Sequence, residues 1–224
     1  MMKRSLLAFL VMFSLSGAIC AQQTETVQEF TEEVQQLGLR LDSIYDPSRE
    51  AIVFTGSSSV RLWKTLEETF PEQQILNTGF GGSQSEDLLY FLDDLVLRFS
   101  PSQVFIYEGD NDLANGKSPR EVLETQVEII NRIRSDFPDI PIVLIGVKPS
   151  ISRWNLRGKY RRLNRHLAKL AGSYEKLVFA DVWTPMLHMG KKLDTSLFIE
   201  DGLHMNAKGY AIWTNVLGPL VLQP

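Results

Sequence analysis

Five short apolar runs, each followed by a helical pattern, restrict this 224-residue chain to one kind of architecture. The runs are AIVFTG (51–56), QILNTG (74–79), QVFIYEG (103–109), PIVLIGV (141–147) and KLVFADV (176–182). Each is nearly continuous and rich in β-branched or aromatic residues, as strands buried on both faces are. Helical spacing occupies the intervals near 59–69, 84–98, 118–136 and 155–173, with a last helix near 207–220. Strict alternation of strand and helix requires right-handed crossovers. The expected fold is therefore α/β, a three-layer α/β/α sandwich around a five-stranded parallel sheet. Ahead of it, Val27, Phe30, Val34, Leu37, Leu41 and Ile44 recur at intervals of three and four. That spacing predicts an amphipathic helix over 26–45, within an N-terminal segment 22–46 that packs on the domain.

The first residues do not belong to this pattern. In MMKRSLLAFLVMFSLSGAICAQQ, Lys3 and Arg4 precede an apolar stretch from Leu6 to Leu15, and small residues lead to Ala21. This reads as a secretory signal peptide over 1–21, leaving a single domain over 22–224 and a periplasmic or extracellular location. The apolar stretch is short for a membrane anchor, so no stable membrane insertion is expected. A lipoprotein signal ending at Cys20 is the rival, disfavoured because Gly17-Ala18-Ile19 lacks the small residue wanted just before the cysteine.

Cleavage after Ala21 removes the one cysteine, and with it disulfides, thiolate zinc sites and a cysteine nucleophile. It also lowers the basic count from 23 to 21 against 27 acidic residues, a net charge of −6. A mildly acidic chain has no electrostatic footprint for nucleic acid. The basic segment RGKYRRLNRHLAK (157–169) reads as a solvated helix face.

Ligands of such sheets sit outside the carboxyl ends of the strands. Those ends carry Gly56-Ser57-Ser58-Ser59, Asn77 to Gly82, Gly109-Asp110-Asn111-Asp112, Lys148-Pro149-Ser150 and Asp181-Val182-Trp183. Of the three histidines, His166 lies in the basic helix, His188 in a Met-rich loop, and His204 three residues after Asp201. A carboxylate at that spacing can accept the Nδ1 proton and leave Nε2 free as a base. Asp181 is the alternative orienting carboxylate. Gly82 suits a backbone N–H aimed at a ligand, and the Asn111 amide can donate to an oxyanion. Each signal taken alone also fits a turn, a cap or a loop brace. Their order along the chain, all at strand ends, is what distinguishes them.

In these four blocks the chain resembles the SGNH hydrolases, also called GDSL esterases/lipases, over essentially the whole mature domain. Gly56-Ser57-Ser58 matches the family's Gly-Asp-Ser, Gly82 its glycine after the second strand, Gly109 to Asp112 its Gly-x-Asn-Asp, and Asp201 to His204 its Asp-x-x-His. The resemblance implies a flavodoxin-like fold, Ser58 as nucleophile, His204 as base and Asp201 as its orienting carboxylate. It further implies an oxyanion hole from the N–H groups of Ser58 and Gly82 and the amide of Asn111, with no metal and no cofactor. Ser57 departs from the family, which has an Asp there.

The resemblance also points to the branch of platelet-activating-factor acetylhydrolase-like proteins and bacterial carbohydrate acetylesterases. No long insertion offers a lid or a lipid tunnel, which favours a small acyl group, acetyl first, on a small-molecule or glycan ester. In the loop KPSISRW (148–154), Arg153 is expected to contact a leaving group, and Trp154 either stacks on a sugar or packs in the protein. A lysophospholipase, thioesterase or short-chain lipase is the alternative within catalysis. A glycan-binding module on the same scaffold is the alternative outside it.

Overall fold

The computed structural model describes residues 30–189 and 191–223. The expected signal peptide, Cys20 and Val27 lie outside the described residues. A helix α1 runs over residues 30–42 and leads to strand β1 (Ala51–Gly56). Helices α2 (Ser58–Arg61) and α3 (Leu66–Thr69) precede β2 (Gln74–Asn77). Helices α4 (Ser85–Tyr90) and α5 (Leu92–Leu95) precede β3 (Gln103–Tyr107). Then come α6 (Asp110–Ala114), α7 (Pro119–Asp136), β4 (Ile142–Ile145), α8 (Arg157–Ala171) and β5 (Leu177–Ala180). A small hairpin of β6 (Leu187–His188) and β7 (Lys192–Leu193) leads towards α9 (Ala207–Leu217).

The sheet has the expected five strands, in the order β2-β1-β3-β4-β5, and every pairing is parallel. Side chains alternate across it, as the two-residue period of a strand requires. Val53, Leu76, Val104, Ile106 and Leu144 join one core, with Val34 and Leu41 of α1 and the inner faces of α7 and α8. Ile52, Phe54, Phe105, Tyr107 and Ile145 join the other, closed by Trp63 and by Trp213 of α9. The rings of Phe54 and Phe105 stack across neighbouring strands with centroids 4.1 Å apart. Strands β1 to β4 are buried along their whole length, whereas β5 leaves Val178 exposed at the sheet's edge.

Local chemistry sets the helix boundaries. Ser118 and Glu121 form a reciprocal capping box, and Pro119 opens α7 where its missing N–H costs nothing. On α8 the buried face is Tyr160, Leu163, Asn164 and Leu167, and Arg161, Arg162 and Arg165 point outward as a solvated face.

Three expectations are corrected. The single helix near 59–69 is two, because the Asn77 side-chain amide donates to the carbonyls of Val60 and Trp63 and takes acceptors a continued helix would use. The helix near 84–98 breaks at Phe91 and again at Val96. The N-terminal helix stops at residue 42, which leaves Ile44 exposed instead of packed.

Strand order reverses its direction of winding between β1 and β3. In sheets of this kind the loops leaving two such strands diverge, and ligands bind outside the carboxyl ends at that point. Ser58 follows β1 and Asn111 follows β3.

Candidate active site

Ser58 is the first residue of α2, and Ser57 before it is extended, its N–H bonded to the Tyr107 carbonyl of β3. The Ser58 hydroxyl lies 2.9 Å from Nε2 of His204, across 146 residues of sequence. Nδ1 of His204 lies 2.6 Å from Asp201 Oδ2. The other carboxylate oxygen, Oδ1, accepts the N–H groups of Leu203 (2.8 Å) and His204 (2.9 Å), which closes the turn. Burial pushes the Asp201 carboxyl up, but the bonds from the His204 ring and the two N–H groups outweigh it and bring it down to about 2. An ionised carboxylate only accepts, so the proton of a neutral His204 sits on Nδ1 and Nε2 faces the serine hydroxyl as an acceptor.

The glycine loop packs against the helix that begins with the same serine. The loop Gly79 to Ser83 lies directly on α2: a Cβ at Gly79 would come within 2.4 Å of the Arg61 nitrogen. Gly82 has φ +78°, a conformation that favours glycine, and nothing stands where its side chain would be. Among the described residues, neither the Ser58 nor the Gly82 N–H has a protein acceptor. The Asn111 amide donates from Nδ2 to the Ser83 carbonyl at 2.8 Å, which holds it beside Gly82 with one of its two hydrogens engaged. Asn111 is thus held beside Gly82, on a loop packed against the helix that Ser58 opens.

The other sequence-predicted residues lie elsewhere or are engaged. Arg153 donates from Nη1 to Asp110 Oδ1 (2.7 Å) and Asn111 Oδ1 (2.9 Å), so that nitrogen serves the protein and not a leaving group. Trp154 is partly buried and stacks on Trp183 with centroids 6.0 Å apart. Asp181 accepts the N–H groups of Trp183 and Thr184 and the Thr184 hydroxyl, and so shapes its own turn. His188 pairs with Asp194 on the small hairpin. No group of three or more His, Cys, Asp or Glu among the described residues could hold a metal ion.

Sequence reasoning missed the supports of this site. Asp110 is buried against Lys148, Arg153 and Tyr160, whose hydroxyl donates to it. Burial pushes its carboxyl up, but the charges of Lys148 and Arg153 outweigh this and hold it below the usual range. Glu108 is buried with its Oε1 accepting from the Ser83 hydroxyl at 2.6 Å, and burial raises its carboxyl well above the usual range. Glu33 of α1 accepts the Gly81 N–H through both carboxylate oxygens and pairs with Arg61 of α2. The density of acids in Glu108-Gly-Asp-Asn-Asp112 was the available signal, since carboxyls at a buried strand end need either a cation beside them or a retained proton.

Residues 42–212 match the profile of the GDSL-like Lipase/Acylhydrolase family. The chain belongs to this family. It is a hydrolase of the GDSL type, and its fold is shared with many solved structures. One, provisionally labelled a platelet activating factor from Streptococcus pneumonia, is 24% identical with a TM-score of 0.76, over 91% of this chain and 98% of its own. A GDSL-like lipase from Bacteroides thetaiotaomicron is 19% identical with a TM-score of 0.67, over 87% and 96% of the two chains. An acetylxylan esterase from Geobacillus stearothermophilus is 16% identical with a TM-score of 0.63, over 78% and 95%. No curated protein matches this acylhydrolase at a significant level.

Proposed function

We propose that this acylhydrolase is an exported serine esterase that removes small acyl groups, acetyl first, from hydroxyl-bearing molecules, glycans among them. The observation that carries the reading is the continuous relay from Ser58 Oγ through His204 to Asp201, at 2.9 and 2.6 Å. Beside it, among the described residues, the N–H groups of Ser58 and Gly82 have no protein acceptor. A binding module has no need of both.

In the proposed reaction, Nε2 of His204 takes the Ser58 proton as Oγ attacks the ester carbonyl carbon. The carbonyl electron pair moves onto oxygen, which the N–H groups of Ser58 and Gly82 and the free Nδ2–H of Asn111 receive. Each such donor is worth about 3 kcal/mol in the transition state. Collapse breaks the bond to the leaving alcohol, which takes the proton from His204. Water then repeats the sequence on the acyl-serine, releasing the acid and restoring Ser58. Asp201 holds the ring and balances the charge it gains.

A small acyl group is supported by the lack of a long inserted segment in the sequence; the longest connection among the described residues, 181–206, is taken up by the small hairpin and the turn of Asp201 and His204. A second reading, a lysophospholipase or short-chain lipase, draws on Ile151 and Ile199. These flank the Asp201–His204 turn through backbone bonds to Gly202 and His204, and both are exposed. A nitrophenyl ester series from acetate to octanoate separates the two: activity falling with chain length supports the first, activity rising supports the second. Ser58→Ala should abolish turnover, whereas Ser57→Ala and Ser59→Ala should keep substantial activity. Export is supported by the basic and apolar start of the sequence, and the N-terminus of the secreted chain, read by mass spectrometry, tests it. A start at Gln22 is expected; a lipid-modified Cys20 would favour the lipoprotein alternative.

A further inference from the structure

We infer that Arg153 is a positioning residue for the oxyanion hole, acting on Asn111 and not on substrate. The inference rests on the esterase reading above. One nitrogen of the guanidinium, Nη1, bridges the Asp110 carboxylate and the Asn111 side-chain oxygen, at 2.7 and 2.9 Å. Asn111 is therefore held at both ends of its amide: Oδ1 by a cation, Nδ2 by the Ser83 carbonyl. That pair of partners fixes which way the amide faces, since a flipped amide would set its NH₂ against the guanidinium and its oxygen against a carbonyl.

The contact also changes the amide's chemistry. A cation on the amide oxygen draws electron density from the nitrogen, which makes the remaining Nδ2–H a stronger donor to a negative oxygen. The guanidinium is itself held. Its partner Asp110 is buried and also accepts from the Tyr160 hydroxyl, while Lys148 lies 3.5 Å away on the other oxygen. Arg153 is the only one of these groups on the loop after β4 that reaches Asn111, across 42 residues of sequence. A surface arginine poised for an anionic leaving group would carry no such obligations.

A substrate contact and a positioning residue differ in what they depend on. If Arg153 works through Asn111, its loss should lower kcat with KM little changed, and should cost almost nothing once the Asn111 amide is gone. Because both bonds come from a single nitrogen, a lysine ammonium with three donors can replace them, so Arg153→Lys should recover most of what Arg153→Met loses.

The test is a double-mutant cycle of Arg153→Met and Asn111→Ala, with Arg153→Lys beside it. It is read both as nitrophenyl acetate turnover and as the rate at which an alkyl fluorophosphonate labels Ser58. Folding of each variant is checked by thermal melting, and Arg153→Gln, which also removes the cation, carries the cycle if the Met variant does not fold. The expected result is a loss of about 10- to 100-fold for Arg153→Met in the wild-type background and less than about twofold in Asn111→Ala. An Arg153 effect that persists undiminished in Asn111→Ala, or that appears in KM, overturns the inference while leaving the esterase reading intact. A wild-type chain that neither turns over the ester nor labels at Ser58 overturns both.

Discussion

Lys148, buried without exposed surface, donates from Nζ to the backbone carbonyl of Leu203 at 2.7 Å, one residue before His204. The same ammonium faces Asp110, the carboxylate that also holds Arg153. One buried charge cluster thus joins the loop carrying the proposed base to the strand end carrying the proposed oxyanion donor.

Removing Lys148 should therefore harm both stability and turnover. Breaking one partner out of a buried charge cluster typically costs about 3–5 kcal/mol. Lys148→Met is expected to unfold at lower urea with a loss in that range, and to show reduced kcat where it remains folded. A variant within about 1 kcal/mol of wild type would mean that Asp110 is satisfied by Arg153 and Tyr160 alone.

Asp201→Asn should leave the His204 ring in place with the wrong tautomer. In the serine-protease triad this kind of change lowers turnover by ~10⁴-fold. The Asp201 carboxyl, held down to about 2, keeps its pairing above the ordinary carboxyl range and loses it only as pH falls through that value. Inactivation setting in above about pH 4 must then come from another group. Stopped-assay rates for the variant, and a pH–rate profile for the wild type, check the two halves separately. Turnover of the variant near the wild-type rate would return Asp201 to the role of a turn residue.

Glu108 should make stability fall as pH rises. Burial and the nearby Asp112 both push its carboxyl up. The folded chain keeps a proton that the unfolded chain releases above about 4.3. Its contribution is complete below that value and is lost as pH rises towards the folded one. Glu108→Gln keeps an oxygen for the Ser83 hydroxyl and cannot ionise. Melting temperatures from about pH 4 to about pH 8 should show the variant gaining on the wild type as pH rises. A constant difference would mean that Glu108 is ionised in the fold.

The sheet and the proposed catalytic groups were legible because each leaves a local trace. Val53, Val104 and Val143 sit in apolar runs whose continuity reports burial on both faces, and Asp201 and His204 are close enough in sequence to be read as one turn. What was hidden depends on pairing across long separations. The break after Arg61 is set by Asn77, and the role of Arg153 by Asn111. Lys148 looks like an ordinary strand-end lysine until Asp110 is placed against it. Periodicity measures how much of a residue is covered. It does not say by what, and for buried charges that is the deciding quantity.

The contact of Glu33 with Gly81 and Arg61 lies ahead of residue 42, where the match to the family begins. The segment that the family profile covers is thus shorter than the unit that physically encloses the glycine loop. A lineage could retune how stiffly that loop presents its N–H groups by exchanging the leading helix alone, leaving all four signature blocks untouched. For anyone trimming or grafting this domain, Glu33 belongs inside the seam.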